Sequence, residues 1–205
     1  MAFLLCGPPG VGKTLTAESI AEQIRAPLYT LSASELGSYP SVLETSLNRA
    51  LKRCALWKAV LLIDEADVFM EQRHVDSIHR NSLVSVFLRL LEYYEGIMFL
   101  TTNRARALDP AFESRLDLIM PYAELDRAAR RDIWTNFIGR LGAGEHAIGD
   151  ADFDGLANVE LNGREIKSTV KTALVLARHE GGVLSREHVQ TVLGLRQKAS
   201  KYLKE

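Results

Sequence analysis

Residues 7–14 read GPPGVGKT and match the pattern G-x-x-x-x-G-K-[ST], a glycine-rich loop that ends in lysine and threonine. The apolar run at residues 2–6 precedes the loop and predicts a buried strand, and residues 13–25 follow it with the apolar spacing of a helix. A loop between a strand and a helix points several backbone N–H groups and the positive end of the helix dipole at one place. That place suits the β-phosphate of a nucleotide, so the pattern predicts a nucleotide site.

Two side chains of this loop have distinct predicted roles. Lys13 is expected to reach the β- and γ-phosphates, and the hydroxyl of Thr14 is expected to bind Mg²⁺. The candidate binding residues of the loop are Gly7, Pro8, Pro9, Gly10, Val11, Gly12, Lys13, Thr14 and Leu15. The loop therefore predicts a nucleotide bound together with its magnesium ion.

A pair of acidic residues, Asp64 and Glu65, follows the continuous apolar run at residues 59–63, which predicts a buried strand. Ligands of open α/β sheets bind at the carboxyl ends of the strands, so both acids are expected near the glycine-rich loop. Asp64 is the candidate Mg²⁺ ligand, through water, and Glu65 is the candidate base for an attacking water. Acids at a strand end also begin ordinary turns, but the upstream loop favours the functional interpretation.

Asn103 follows another predicted strand, residues 97–100, in the same way. Its amide can hydrogen-bond both an attacking water and the γ-phosphate, although alone it would be an ordinary turn residue. Asp67, beyond the acidic pair, is expected to be structural or to pair with a remote basic group.

Strand-like and helix-like segments alternate up to about residue 122, which predicts an α/β fold with a parallel sheet and helices on both faces. The predicted strands are residues 2–6, 27–32, 59–63, 97–100 and 116–120. Helical stripes dominate after that point. We therefore predict a nucleotide-binding α/β domain at residues 1–122 and a small all-α domain at residues 123–205.

Composition excludes several classes of function. The chain has 25 basic and 26 acidic residues and a net charge of −1, which gives no electrostatic case for duplex DNA or an anionic membrane as a partner. No apolar stretch approaches the length of a membrane span. Cys6 and Cys54 lie in apolar surroundings without metal-ligand spacing. Free buried thiols and an intracellular, reducing compartment are therefore expected, with cytoplasm and nucleus not distinguished.

Together these motifs resemble the AAA clade of the AAA+ ATPases over nearly the whole chain. The matching elements are Walker A at residues 7–14, Walker B at residues 61–65, sensor 1 at Asn103, the second region of homology at residues 101–104 and 108–111, an arginine finger at Arg115 and a sensor 2 arginine at Arg164. The resemblance implies a P-loop NTPase sheet of five strands in the order 5-1-4-3-2, followed by a helical lid. It also implies Mg²⁺-dependent hydrolysis of ATP.

The same resemblance implies self-association into a ring, usually a hexamer. In such rings the arginine finger, here Arg115, enters the neighbouring subunit's site, and Arg164 contacts the phosphates from the lid of its own chain. The work done by the ring would be the remodelling of a protein partner, whose identity the sequence does not give.

The chain departs from the family pattern in three places. The aromatic–hydrophobic–glycine element of the central pore falls on residues 40–42, Pro-Ser-Val, and Tyr39 lies one position early. The segment at residues 110–115 is short, and Glu113 lies near the place of the family's other arginine finger. The chain also begins directly at the first core strand, which leads us to expect a fragment of a longer protein.

Three other functions compete with the leading hypothesis. The altered pore element favours a nucleotide-dependent interaction or assembly module with weak or no hydrolysis. A small-molecule P-loop kinase is disfavoured by the acidic pair, by Asn103 and by the all-helical carboxy-terminal domain. A DNA-acting motor is disfavoured by the near-neutral charge.

Overall fold

Five parallel strands form the sheet of the amino-terminal part of the chain, in the order β2-β3-β4-β1-β5. The strands are β1 (Ala2–Cys6), β2 (Leu28–Ser32), β3 (Val60–Asp64), β4 (Met98–Thr102) and β5 (Leu118–Pro121). The computed structural model describes residues 1–72, 77–104, 108–142 and 144–202. The predicted strand number, direction and order are confirmed, since 5-1-4-3-2 is the same order read from the opposite edge.

The register of the central strands brings their carboxyl ends to the same edge of the sheet. Cys6 of β1 pairs with Thr102 of β4, and Ile63 of β3 pairs with Leu100 of β4. β4 is buried along its whole length and β3 is buried up to Ile63, which explains why both read as continuous apolar runs. The loops that follow β1, β3 and β4 are therefore neighbours.

Helices cover both faces of this sheet. They are α1 (Lys13–Gln23), α2 (Pro40–Trp57), α3 (Asp67–Met70) and α4 (Ile78–Glu92), with 3₁₀ helices at Ala33–Leu36 and Pro110–Phe112. On one face, Ala17 and Ala21 of α1 pack in a core cluster with Phe99. On the other face, Leu47 of α2 and Phe87 of α4 belong to a larger cluster. The buried residues of these helices recur every three or four positions, as on one face of an amphipathic helix.

The fifth strand begins later than the predicted segment at residues 116–120. The backbone N–H of Leu116 donates to the carbonyl of Phe112 at 3.0 Å, so Leu116 still belongs to the turn after the second 3₁₀ helix. The N–H of Asp117 then donates to the carbonyl of Ala2 at 2.9 Å, and β5 starts at the next residue. A local hydrogen bond thus delays the pairing of this segment with β1.

The chain divides into two compact units, Met1–Ala123 and Glu124–Glu205. The second unit is helical, with α5 (Arg127–Gly139), α6 (Asp150–Leu156), α7 (Gly163–His179) and α8 (Arg186–Tyr202). Its core includes Trp134, Phe153 and Ile166, all buried. Asp126 caps α5 by accepting a hydrogen bond from the N–H of Ala129 at 2.7 Å. Among the residues that the structure describes, no helix is both long enough and apolar enough to cross a membrane.

Candidate functional site

The glycine-rich loop requires glycine at its first position for two reasons. Gly7 has a φ of +147°, a backbone conformation that other residues rarely adopt. A Cβ atom at Gly7 would also collide with the backbone carbonyl of Tyr122, which follows β5. Tyr122 fixes this region further, because its N–H donates to the carbonyl of Cys6 at 2.7 Å and its hydroxyl lies 2.6 Å from Thr16 Oγ1. The start of the loop is therefore packed directly against the chain segment after β5.

Lys13, the first residue of α1, is only 7% exposed. Its Nζ donates hydrogen bonds to the carbonyl oxygens of Gly7 at 2.7 Å and Pro8 at 2.6 Å. A further hydrogen bond of 2.8 Å runs from Lys13 Nζ to Asn103 Oδ1. The structure thus brings together two residues that the sequence placed ninety positions apart and assigned to the same phosphate group.

Asp64 and Thr14, the two predicted Mg²⁺ ligands, are also in contact. Thr14 Oγ1 lies 3.4 Å from Asp64 Oδ1. Within the described ranges no group of three or more His, Cys, Asp or Glu side chains could hold a metal ion. One carboxylate and one hydroxyl fit Mg²⁺ well, because this ion keeps several waters and is usually shared between few protein oxygens and a bound phosphate. The donor set therefore fits a nucleotide-bound Mg²⁺ and does not fit a site made by protein side chains alone.

Glu65 has an unusual backbone conformation. Its φ is +56°, in the left-handed region, where a non-glycine residue is strained. Its N–H donates to Thr101 Oγ1 at 3.0 Å, and the N–H of Ala66 donates to the carbonyl of Thr101 at 2.9 Å. These two hydrogen bonds hold the strained turn, and the Glu65 side chain is exposed at the sheet edge.

Thr101 is the residue that sequence reasoning missed. Its hydroxyl accepts the hydrogen bond from the Glu65 N–H and donates one to Asp64 Oδ1, so one side chain of β4 holds both the carboxylate of Asp64 and the backbone of Glu65. The second region of homology, after the predicted strand at residues 97–100, included Thr101, but no role followed from its position in the sequence. The available signal was a hydroxyl at the end of a strand expected to lie beside the acidic pair.

Glu65 and Asn103 line the same groove, which has a volume of about 510 Å³ and opens at the carboxyl edge of the sheet. Asp67 and Arg104 also line it. Asp67 makes a long contact with Thr102, whose Oγ1 lies 3.5 Å from Asp67 Oδ1. The groove gives the predicted base and the predicted sensor amide access to the same volume.

Arg115 lies near the amino ends of the strands, at the opposite end from the glycine-rich loop. It comes two residues before Asp117, whose N–H bonds to the carbonyl of Ala2 at the start of β1, whereas the glycine-rich loop begins after Cys6 at its end. Five residues of β1 separate these positions, which corresponds to roughly 15 Å. Arg115 Nη2 pairs with Glu92 Oε2 at 3.3 Å. The structure therefore does not bring Arg115 to the nucleotide site of its own chain.

Arg164 is the second residue of α7 in the carboxy-terminal unit, and it is exposed. The helix start beside it is well formed, because Asn162 Oδ1 accepts from the N–H of Glu165 at 3.0 Å and Glu165 Oε2 accepts from the N–H of Asn162 at 2.9 Å. The predicted contact of Arg164 with the phosphates stays a prediction.

Both cysteines are buried and free, as predicted. Burial raises the pKa of the Cys6 thiol, an effect that the nearby Lys13 partly offsets, and burial also raises the pKa of Cys54. The hydroxyl of Tyr94, close to Cys54, has a pKa raised to about 12, chiefly by burial. Both thiols are therefore protonated at neutral pH and are not poised as nucleophiles.

Comparison with known proteins gives a consistent assignment for both units. Residues 3–123 match the model of the ATPase family associated with various cellular activities (AAA), and residues 125–205 match the model of the fungal AAA+ ATPase lid domain. A crystal structure of the FIGL-1 AAA domain in complex with ADP superposes with a TM-score of 0.75 at 20% sequence identity, covering 95% of this chain and 71% of that one.

Curated relatives show the same similarity at the level of sequence. An ATP-dependent zinc metalloprotease FtsH 3 of Sphaerobacter thermophilus is 31% identical over 196 residues, which cover 87% of this chain and 38% of that protein. The 26S proteasome regulatory subunit 4 homolog of Schizosaccharomyces pombe is 29% identical over 195 residues, 86% of this chain and 42% of that protein. The ATPase family AAA domain-containing protein FIGL1 of Arabidopsis thaliana is 32% identical over 182 residues, 83% of this chain and 26% of that protein. The chain thus spans less than half the length of these relatives.

Proposed function

The chain belongs to the AAA family of Mg²⁺-dependent ATPases, and we propose that each of its active sites is built from two copies of the chain. The observation that carries this proposal is the position of Arg115 at the amino edge of the sheet, roughly 15 Å of β1 away from its own glycine-rich loop. A second copy can place the amino ends of its strands against the carboxyl ends of the strands in the first copy. Arg115 of the second copy then reaches the phosphates bound by the first. Self-association, in a ring that the family pattern makes a hexamer, is therefore required for turnover.

Within one copy, we infer a role for each side chain from the contacts that it makes. Lys13 Nζ gives up its carbonyl partners Gly7 and Pro8 and donates to phosphate oxygens, while the loop amides hold the rest of the phosphate chain. Thr14 and Asp64 hold Mg²⁺, which supplies charge neutralisation to the phosphates. Glu65, held in its strained turn by Thr101, accepts a proton from the attacking water.

Asn103 is placed between the residue that binds phosphate and the residue that activates water. Its Oδ1 contacts Lys13, and it lines the groove that also contains Glu65. An amide at this position orients the attacking water and at the same time responds to the phosphate that Lys13 binds. Arg115 of the neighbouring copy then stabilises the charge that develops on the transferring phosphoryl group.

The mechanical role that we propose is the remodelling of a protein partner. Tyr39, at the position before α2, is 66% exposed, and its ring packs edge-on against His79 with centroids 5.6 Å apart. His79 in turn lies 2.6 Å from the carbonyl of Ser38 through Nε2. An exposed aromatic ring held in this way can contact a polypeptide, although it lies one position before the family's pore element.

A second candidate function is the nucleotide-dependent assembly module. The observation that favours it is that Pro40 opens α2, so the segment aligned with the pore element forms the first turn of a helix and has no loop to move. Under this alternative the chain binds ATP and associates with partners without repeated turnover. Release of phosphate at rates that rise with protein concentration separates the enzyme from the module.

A mixing experiment tests the two-copy site directly. Lys13→Ala and Arg115→Ala proteins are each expected to be inactive, since each lacks one half of every site. Mixing them creates interfaces that combine an intact loop with an intact Arg115, and random mixing should restore about a quarter of wild-type turnover. Failure to recover any phosphate release from mixed, co-assembled variants would overturn the proposal.

A further inference from the structure

Basic and apolar side chains share an exposed face at the carboxy-terminal end of α2. Lys52, Arg53, Leu56 and Trp57 are spaced so that each basic residue has an apolar residue four positions later, and such residues are neighbours on a helix. Leu56 is 80% exposed and Trp57 is 52% exposed. Lys58 follows directly, and we call these five residues the α2 patch.

The positive charge of the α2 patch is not compensated. Residues 45–63 contain no Asp or Glu, in a chain whose net charge is only −1. In the part of the chain that the structure describes, Lys52, Arg53 and Lys58 form no ion pair. The polar contact of Arg53 is with a neutral group, because its Nη1 donates to Tyr29 Oη at 3.1 Å. A local positive field of this kind attracts carboxylates.

The chain segment that follows α1 lies at the same end of the sheet as the α2 patch. The N–H of Val60, at the start of β3, donates to the carbonyl of Pro27, just before β2, at 2.8 Å. Trp57 and Lys58 come shortly before Val60 in the chain. Ile24 and Arg25 come shortly before Pro27. Ile24 is 48% exposed. Ile24 and Arg25 thus add apolar and basic surface at the same end of the sheet, next to the exposed acidic Glu22 of α1.

The patch is rigid. Leu47, Ala50 and Cys54, on the opposite face of α2, are buried in the core of the amino-terminal unit. The Trp57 ring packs against Tyr29, with ring centroids 5.9 Å apart. Tryptophan and arginine side chains that are already held in place lose little conformational freedom on binding, and they are the residues most often found at the energetic centre of protein interfaces.

We propose that the α2 patch binds an acidic, partly apolar peptide segment of a partner protein. Carboxylates pair with Lys52, Arg53 and Lys58, and apolar side chains pack on Leu56 and Trp57. A membrane is disfavoured because Trp57 is held against Tyr29 and the apolar stripe of α2 is buried, which leaves too little surface for insertion. The patch lies at the amino edge of β2 and β3, away from the nucleotide site, so it stands independently of the proposed active site.

The proposal is tested with the full chain and a short fluorescein-labelled peptide of alternating aspartate and leucine. Saturable binding is expected, with a dissociation constant of about 10–100 µM that weakens as salt is added. Charge reversal of Lys52 and Arg53, in the double variant Lys52→Glu/Arg53→Glu, is expected to weaken binding at least about tenfold. Leu56→Ser, a single change at a largely exposed side chain, is expected to weaken it about threefold.

Lys167→Glu/Lys171→Glu is the matched control, because both lysines are exposed on α7 and the change in net charge is identical. This control should bind the peptide as the wild type does. Equal loss in both double variants, absence of binding, or equal binding of a lysine–leucine peptide overturns the proposal. Tighter binding of phosphatidylserine vesicles or a single-stranded oligonucleotide at the patch overturns it, as does a change of oligomeric state caused by Lys52→Glu/Arg53→Glu alone.

Discussion

Lys13 Nζ donates a 2.8 Å hydrogen bond to Asn103 Oδ1, so the lysine of the glycine-rich loop and the amide after β4 contact each other directly. Any change in the position of the lysine that accompanies phosphate binding therefore moves or frees the amide. This contact explains physically how an amide remote in sequence can respond to the phosphate: the two side chains share one hydrogen bond.

Removal of the amide should affect turnover more than binding. Asn103→Ala is expected to lower kcat by about 10- to 100-fold, since a group that orients the attacking water acts mainly in the transition state. The dissociation constant for ATP should change by less than about threefold, because Lys13 and the loop amides remain. Steady-state phosphate release and calorimetric titration measure the two quantities. Asn48→Ala on α2 serves as the control, and a larger loss of affinity than of kcat would contradict the assigned role.

Glu65→Gln should separate binding from hydrolysis even more sharply. The amide retains the size of the side chain but cannot accept a proton, so turnover should fall at least about tenfold while ATP still binds. Glu22→Gln, an exposed change on α1, should have no effect. Wild-type phosphate release by purified Glu65→Gln protein would remove Glu65 from the catalytic role.

Thr101→Val tests whether one hydroxyl positions both acids. The substitution keeps the shape but removes the bonds to Asp64 and to the N–H of Glu65, which leaves a partly buried donor unsatisfied at a cost of about 1 kcal/mol in stability. A higher Mg²⁺ concentration should also be needed for half-maximal turnover. Urea denaturation and a magnesium titration check both effects. Thr101→Ser keeps the hydroxyl, so its stability and its Mg²⁺ requirement should be close to those of the wild type. If Thr101→Val and Thr101→Ser behave alike, the hydroxyl does not position the two acids.

Two glycine substitutions should have opposite effects on stability. Gly7→Ala is expected to cost at least about 2 kcal/mol, because the backbone is left-handed and the new methyl group meets the Tyr122 carbonyl. Gly194→Ala, within α8 and without any atom near the new methyl group, should stabilise the helical unit by about 0.5–1 kcal/mol. Thermal denaturation of both variants against wild type measures the difference. A neutral Gly7→Ala would show that the close approach is relieved at no cost.

Substitution of Arg115 and substitution of its ion-pair partner Glu92 should have different effects. Arg115→Ala is expected to abolish the turnover that depends on assembly and to leave ATP binding intact, since Arg115 is remote from its own loop. Glu92→Gln should change stability by less than about 1 kcal/mol, because the pair is partly exposed to solvent. Phosphate release across a protein concentration series, together with denaturation curves, tests both statements. Loss of ATP binding in Arg115→Ala would place this residue in the site of its own chain.

Much of the site could be predicted because parallel strands align their carboxyl ends. Once residues 2–6, 59–63 and 97–100 read as buried strands, Lys13, Asp64 and Asn103 had to emerge at one edge. The contribution of Thr101 could not be predicted, since it depends on the register between β3 and β4 and on the direction of a single hydroxyl. The strained backbone of Glu65 could not be predicted either, because glutamate has no particular preference for the left-handed conformation.

The location of Arg115 also needed the structure. The chain turns through the 3₁₀ helix Pro110–Phe112 and returns to the first residue of β1 before β5 begins. Spacing alone placed Arg115 after the second region of homology but gave no edge of the sheet. The delayed start of β5 has the same origin, a hydrogen bond from Leu116 to Phe112 that no propensity scale records.

The opposite placement of Lys13 and Arg115 along β1 has a quantitative consequence. Contacts between copies must be head-to-tail, so every chain both gives a residue to one neighbour and receives one from the other. At low concentration, specific activity should rise steeply with the amount of protein instead of staying constant. A chain that carries both Lys13→Ala and Arg115→Ala, inserted among active ones, should silence two sites, its own and the one to which it would give Arg115.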